Sequence, residues 1–289
     1  MPPTAPLSLN LVGPGRLGRT LARLWADRQA VSIDAVVARQ AEHAAAAVRF
    51  IGAGQAATTL PTRPADITLI ATPDDAIESV AQALAPQAQP GHVYFHCSGA
   101  LSSAALAPLK AAGAVVASIH PLKSFAAPEQ AITDFAGTYC STEGDAEALA
   151  QLTPLFSDIG ARLFPIDPAG KTLYHAAAVL ACNDLVALME SALRAMGAAG
   201  VDRDTGWAAL RPLIAGTLTN LDNLDTRTAL TGPVARGDVA TVVRQTAALS
   251  QYDAGVAAIY RTLGEMALQL APLDDAQRAQ MHGALRGSA

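Results

Sequence analysis

Residues 9 to 18, Leu-Asn-Leu-Val-Gly-Pro-Gly-Arg-Leu-Gly, space three glycines as GxGxxG directly behind an apolar run. Each glycine has its own task where a strand turns sharply into a helix. Gly13 makes the tight turn, Gly15 lets the backbone approach phosphate oxygens, and Gly18 lets the helix pack closely on the strand. Unpaired N–H groups and the dipole at such a helix start favour a diphosphate. The spacing alone is weak, but Leu7–Val12 reads as a strand before it and residues 17–28 as an amphipathic helix after it. Gly13, Pro14, Gly15, Arg16, Leu17 and Gly18 therefore form a candidate dinucleotide cradle.

The rest of the first half continues this pattern. Short apolar runs at 33–38, 66–71, 92–96, 115–119, 137–141 and 162–166 alternate with helical stretches at 40–48, 76–84, 104–112 and 145–156. A weaker strand is expected near Phe50. Such alternation predicts a doubly wound α/β domain, a parallel sheet with crossover helices. After Pro165-Ile166-Asp167-Pro168 the character changes. Residues 171–196 carry one helical pattern without proline or glycine, followed by helical segments near 205–221, 239–249, 254–270 and 274–285. A chain of 289 residues suits two domains. The expected division is a dinucleotide-binding domain over 1–167 and an all-helical domain over 168–289. In such sheets the ligand lies at the carboxyl edge; the helical domain is expected to cover its far end.

Composition excludes several classes. The net charge is −5 with no basic stripe or polybasic segment, which argues against nucleic acid and anionic membrane surfaces. No apolar run reaches the roughly 18 residues needed to span a bilayer; the longest, 176–182, reads as a helix interior. The start Met-Pro-Pro-Thr-Ala-Pro lacks the features of a secretory signal. Cys97, Cys140 and Cys182 are odd in number with no CxxC, which fits reduced thiols, no metal site and a cytoplasmic protein.

Which dinucleotide is read at the end of the second strand. An acid there would bind the ribose 2′-OH, but the stretch is Val36-Val37-Ala38-Arg39-Gln40, and Asp34 lies too early. Arg39 can pair with a 2′-phosphate, so NADP is expected over NAD. Ala71, Thr72 and Pro73 follow the next buried strand and line the cofactor groove by position, with Asp74 or Asp75 suited to capping the helix behind them. Ser98, in the turn after His92–His96, faces the nicotinamide end, where it either holds a substrate oxygen or caps a following helix. Cys97 reads as a core thiol. His120, before Pro121 at the next strand's end, titrates near neutrality in its ordinary state and can exchange the proton that accompanies hydride transfer. On the long helix Lys171 and His175 share a face at i, i+4, while Tyr174 is expected to point elsewhere. A lysine in a helix's first turn opposes the dipole and needs another reason to be there. Asn183, two turns further on, and Arg236, in a glycine-bracketed loop, are candidate substrate-binding residues.

The stretches GPGRLG, IATPDDAI, HCSGALSS, SIHPLKSF, KTLYHAAAVLACN and ALTGPVARGD together resemble the bacterial Rossmann-like family that carries the domain of unknown function 2520. That family is similar to the wider 6-phosphogluconate dehydrogenase-like superfamily, which includes pyrroline-5-carboxylate reductase, ketopantoate reductase, β-hydroxyacid dehydrogenases and prephenate dehydrogenase. The resemblance implies an N-terminal NAD(P)-binding Rossmann domain and a C-terminal helical domain, 6-phosphogluconate dehydrogenase C-terminal-like, that forms a homodimer. In β-hydroxyacid dehydrogenases a Lys-x-x-x-Asn helix acts on the substrate; here Lys171 matches the lysine and His175 replaces the asparagine. In prephenate dehydrogenases a Ser turn and a later His-Pro act at the substrate hydroxyl, and Ser98 and His120-Pro121 look similar in order. The two likenesses nominate different proton donors, Lys171 and His120. The resulting expectation is an NADP-dependent oxidoreductase for a small anionic carbonyl, imine or hydroxy substrate, ketopantoate-reductase-like in its most concrete form. Its rival is an NADP-binding sensor or assembly protein without turnover.

Overall fold

The structure, a computed structural model, describes residues 6–287. It divides into two compact units, one running to Cys182 and the other from Asn183. The division falls inside one long helix, while the last strand ends at Pro165.

The first unit is built on eight strands: β1 (Leu7–Val12), β2 (Val31–Val37), β3 (Gln55–Ala57), β4 (Ile67–Ile70), β5 (Val93–His96), β6 (Val115–Pro121), β7 (Tyr139–Gly144) and β8 (Arg162–Pro165). Their order across the sheet is β3-β2-β1-β4-β5-β6-β7-β8. The chain winds outward from β1 to β3, then returns to β4 on the other side of β1. That reversal opens a crevice at the carboxyl ends of β1 and β4. Helices α1 (Arg16–Asp27), α2 (Ala41–Ile51), α3 (Asp74–Leu84), α4 (Ala107–Ala111), α5 (Pro128–Thr133) and α6 (Ala146–Asp158) connect the strands.

Burial follows from the apolar runs. The wholly buried pattern of β4 and β5 is that of central parallel strands covered on both faces. On one face Trp25 of α1, Phe95 of β5 and Phe156 of α6 meet edge to face, with centroids 5.3–6.4 Å apart. The Trp25 indole donates to the Leu155 carbonyl at 3.0 Å, so its polar atom is not stranded. The other face packs Ile77, Ala81 and Leu84 of α3 on Val12, Ile70 and Tyr94.

Two expectations are corrected. The sheet is not wholly parallel, because β7 pairs antiparallel with β6. Only α5, of 6 residues, fills the connection between them, and it does not carry the chain back to the sheet's other end. The strand expected near Phe50 is helix: alanine-rich α2 runs through Phe50 to Ile51, and β3 begins at Gln55.

Helix α7 (Lys171–Ala198) follows. In the second unit come α8 (Arg203–Asn223), α9 (Thr226–Ala229), α10 (Val239–Tyr252), α11 (Ala254–Leu270) and α12 (Asp275–Arg286). Asp202, Asp225, Asp238, Asp253 and Asp274 stand before these five, each accepting a backbone N–H of the first turn. Val242, Leu268, Met281 and Leu285 form the unit's core.

A further correction concerns α7. Residues 168–198 are long and apolar enough to cross a membrane, with a mean hydropathy of 1.5 over the best 18-residue window. An unbroken apolar run is a stricter test than a window average, which tolerates the polar residues of this helix. Two of them are paired, Glu190 with Arg203 and Arg194 with Asp253.

Candidate active site

The glycine turn leaves β1 and enters α1 at the crevice. Gly13 has φ +85°, the left-handed region, and its N–H donates to the Val37 carbonyl at 2.9 Å. Gly15 is the N-cap of α1 and provides no side-chain cap. The N–H groups of Arg16, Leu17 and Gly18 are therefore the uncapped donors of a helix start. Leu17 itself packs on the core and Gly18 lies buried against Ala71, so these two shape the turn and do not line the groove.

That groove has a volume of about 760 Å³. Gly13, Pro14, Gly15, Arg39, Ala71, Thr72 and Pro73 all line it, as do Arg19 and His43, which sequence reasoning missed. Arg19 is one turn beyond Gly15 and stacks its guanidinium 5.1 Å from the centre of the Phe50 ring. Its Nε and the Thr72 hydroxyl are buried with no partner among the described residues. A methyl group on Gly15 would meet nothing within 4 Å. Open space at the helix start, orphaned polar atoms and an arginine beyond β2 fit a phosphorylated dinucleotide.

Further along the same carboxyl edge, β5 ends in the Ser98 turn. The Ser98 hydroxyl donates to Asp74 at 2.8 Å and accepts from the Ala100 and Leu101 N–H groups. Its hydrogen-bonding capacity is thereby used within the turn. Asp74 likewise does not cap α3; it holds Ser98. His96 is buried and neutral, with Nδ1 accepting from Ser98 N–H and Nε2 at 3.1 Å from the Ser102 carbonyl. Burial lowers its pKa from 6.5 to about 4. The Cys97 thiol is buried and pushed well above its ordinary value, which makes it an inert core group.

His120 stands at the end of β6 beside this turn. Its Nδ1 lies 3.0 Å from the Tyr174 hydroxyl, and its ring meets that of His175 edge to face at 5.7 Å. Both imidazoles converge over Gly99. A Cβ there would fall 2.8 Å from His120 Nε2 and 2.4 Å from His175 Nδ1, a buried nitrogen with no partner among the described residues. Tyr174 was expected to face elsewhere. At 100° per residue, however, Tyr174 and His175 flank the Lys171 meridian about 60° to one side and 40° to the other, so both reach the sheet edge.

The expectation that His120 titrates near neutrality is also corrected. Burial, then the neighbouring His175 and Lys171, lower its pKa from 6.5 to about 4, so it is neutral at pH 7. Burial likewise lowers Lys171, against the opposing pull of Glu143, and raises Tyr174, which keeps its phenolic proton.

Lys171 is only 1% exposed. Its ammonium lies 2.5 Å from Ser118 Oγ and 3.4 Å from Glu143 Oε1. Glu143 is held in turn by the N–H and hydroxyl of Ser103. Neither Ser118 nor Glu143 stood out in the sequence, because nothing local marks a carboxylate on a strand as the partner of a lysine 28 residues later. Of the candidate residues, the first unit thus gathers Ser98, His120, Lys171 and His175 beside the groove-lining set. Asn183 and Arg236 belong to the second unit, where both are exposed.

Residues 3–121 match the family model of a Rossmann-like domain, and residues 138–267 that of DUF2520, the domain of unknown function 2520. The two matched stretches follow one another along the chain and leave only residues 122–137 between them. Protein TM1727 from Thermotoga maritima is 29% identical and superposes with a TM-score of 0.71, over 91% of this chain and 98% of that one. An imine reductase from Pseudomonas sp. is 18% identical with a TM-score of 0.66, over 98% of this chain and 100% of that one. A reductive aminase from Aspergillus terreus, in complex with NADPH and ethyl-5-oxohexanoate, is 17% identical with a TM-score of 0.70, over 94% and 98%. At the last two identities the likeness is one of fold. A search of curated proteins finds no match. The cluster over Gly99 draws on both matched regions: Ser118 and His120 lie in the Rossmann-like stretch, and Glu143, Lys171, Tyr174 and His175 in the DUF2520 stretch.

Proposed function

We propose that the chain is an NADPH-dependent oxidoreductase acting on a small carbonyl, imine or hydroxy compound. One observation carries this reading. A groove built for a phosphorylated dinucleotide and a pair of converging imidazoles share the carboxyl edge of one sheet. The cofactor would be held by the N–H groups at the start of α1, by Thr72 and by Arg39, and when bound it supplies the hydride. The protein's own task is the charge that develops on the substrate oxygen or nitrogen. Where the Tyr174 hydroxyl donates to His120 Nδ1, the imidazole carries its proton on Nε2, facing the space over Gly99. A neutral imidazole is a competent electrophile for such a charge, and it requires no acidic medium. Solved structures of this fold with NADPH and a keto ester point the same way.

Arg39 gives the direct test. Wild-type protein is expected to bind NADPH at least tenfold more tightly than NADH in calorimetric titration, and Arg39→Ala to lose most of that preference while keeping NADH affinity. Equal affinities in the wild type would remove the NADP assignment, and no binding of either would remove the enzyme reading. A panel of small oxo acids, ketones and imines, followed by NADPH oxidation, separates a reductase from a sensor that binds without turnover.

The partner we infer is a second copy of the chain. Large apolar residues are fully outward on α7, with Leu173, Leu180 and Val186 80%, 68% and 70% exposed. Light scattering is expected to give twice the chain mass at micromolar concentration; a monomer there would contradict the pairing.

A further inference from the structure

Lys171 is the residue whose environment fits its expected role least. A proton donor must reach substrate, yet this ammonium is sealed in and already bonded to Ser118 and Glu143. Its position is also adverse twice over, as a charge taken out of water and as a cation in the first turn of a helix. In some proteins burial of that kind is retained because it fixes an arrangement that apolar packing would leave loose.

The arrangement is visible in two repeats. Ser118 and His120 are two residues apart on β6 and so point to the same face of the sheet. Lys171 and Tyr174 are three apart on α7 and lie on adjoining parts of one helix face. Ser118 meets Lys171, and His120 meets Tyr174. The two contacts are successive rungs between one strand and one helix. Glu143 on β7 is the fixed end of the lower rung, since Ser103 donates to both of its oxygens.

We propose that Lys171 is a positioning residue: clipped between Ser118 and Glu143, it sets the register of α7 against β6 so that Tyr174 and His175 meet His120 over Gly99. This deepens the oxidoreductase reading and rests on it for what the imidazole pair does. The clip also brings a positive charge toward His120. The titratable groups around His120 are His175, Tyr174 and Lys171 from α7 and His96 from β5, and the Lys171 charge opposes protonation of His120.

The test uses the full chain and needs no substrate. Histidine ring carbons are followed by NMR through a pH titration in wild type, Lys171→Met and Ser118→Ala, with His120 and His175 assigned by single substitution. In wild type His120 is expected to titrate at about 4. In Lys171→Met its midpoint should move up toward the ordinary imidazole value, with the His120 and His175 signals displaced and those of His43 and His282 unmoved. Ser118→Ala, which removes only one partner of the clip, should displace the same two signals by less. A folded Lys171→Met with unchanged His120 and His175 overturns the proposal. Should Lys171→Met fail to fold, unchanged signals in Ser118→Ala overturn it instead. NADPH titrated into the same samples keeps the two readings apart. Lys171 does not line the groove, so affinity should hold within about twofold; a wild type that binds no NADPH defeats the proposed function while the clip is still read from the histidines.

Discussion

Gly15→Val is expected to fold like the wild type and to lose NADPH affinity by at least a hundredfold. The two halves of that result have different causes. Gly15 has φ −65°, which any residue adopts, and a Cβ there meets no protein atom within 4 Å. The added side chain therefore costs the fold little. It does occupy the space over the uncapped start of α1, where a diphosphate must approach closely enough to accept from backbone N–H groups. Gly13 behaves oppositely. Its φ of +85° and a Cβ 2.7 Å from the Thr72 N and 2.8 Å from the Ala71 carbonyl carbon make Gly13→Ala a collision with backbone that cannot swing aside. Left-handed strain alone costs about 1–2 kcal/mol, so Gly13→Ala should melt earlier as well as bind worse. Thermal melts paired with calorimetry separate the two variants. A Gly15→Val protein that binds NADPH normally would take the diphosphate away from this turn.

Gly99→Ala is the second large effect, and it should spare the cofactor. The new methyl would sit 2.4 Å from His175 Nδ1 and 2.8 Å from His120 Nε2. Both are ring atoms of side chains that also pack on each other, and His120 is held from behind by Tyr174. The rings must move apart, and the point on which their nitrogens converge is lost. NADPH affinity is expected to stay within about threefold, because Gly99 is outside the groove, while turnover with any carbonyl or imine the wild type reduces falls by at least a hundredfold. Steady-state rates at saturating NADPH decide it. Wild-type rates in Gly99→Ala would mean that His120 and His175 do not touch the reacting atoms.

The parts of this fold that were legible in the sequence are those with local causes. The glycine turn and the central strands each follow from a few neighbouring residues, and Arg39 was placed by its distance from the turn. Pairing direction was not legible, since an antiparallel β7 depends on how far a short connection carries the chain. The histidine cluster was half legible. His120 and His175 announced themselves as polar residues at a strand end and on a helix face. Glu143, Ser118 and Tyr174 did not, because each matters only through a contact between elements. Lys171 shows the difference most plainly. Its adverse place in a first turn signalled that something held it, and a resemblance suggested substrate; what holds it in the structure is Glu143 and Ser118.

A crystal structure of the chain with NADPH bound tests the central claim most directly. The account predicts the diphosphate on the N–H groups at the start of α1, the 2′-phosphate on Arg39, and the nicotinamide directed toward the His120–His175 pair. A nicotinamide directed away from Gly99, or a cofactor outside the groove of β1, β2 and β4, would contradict it.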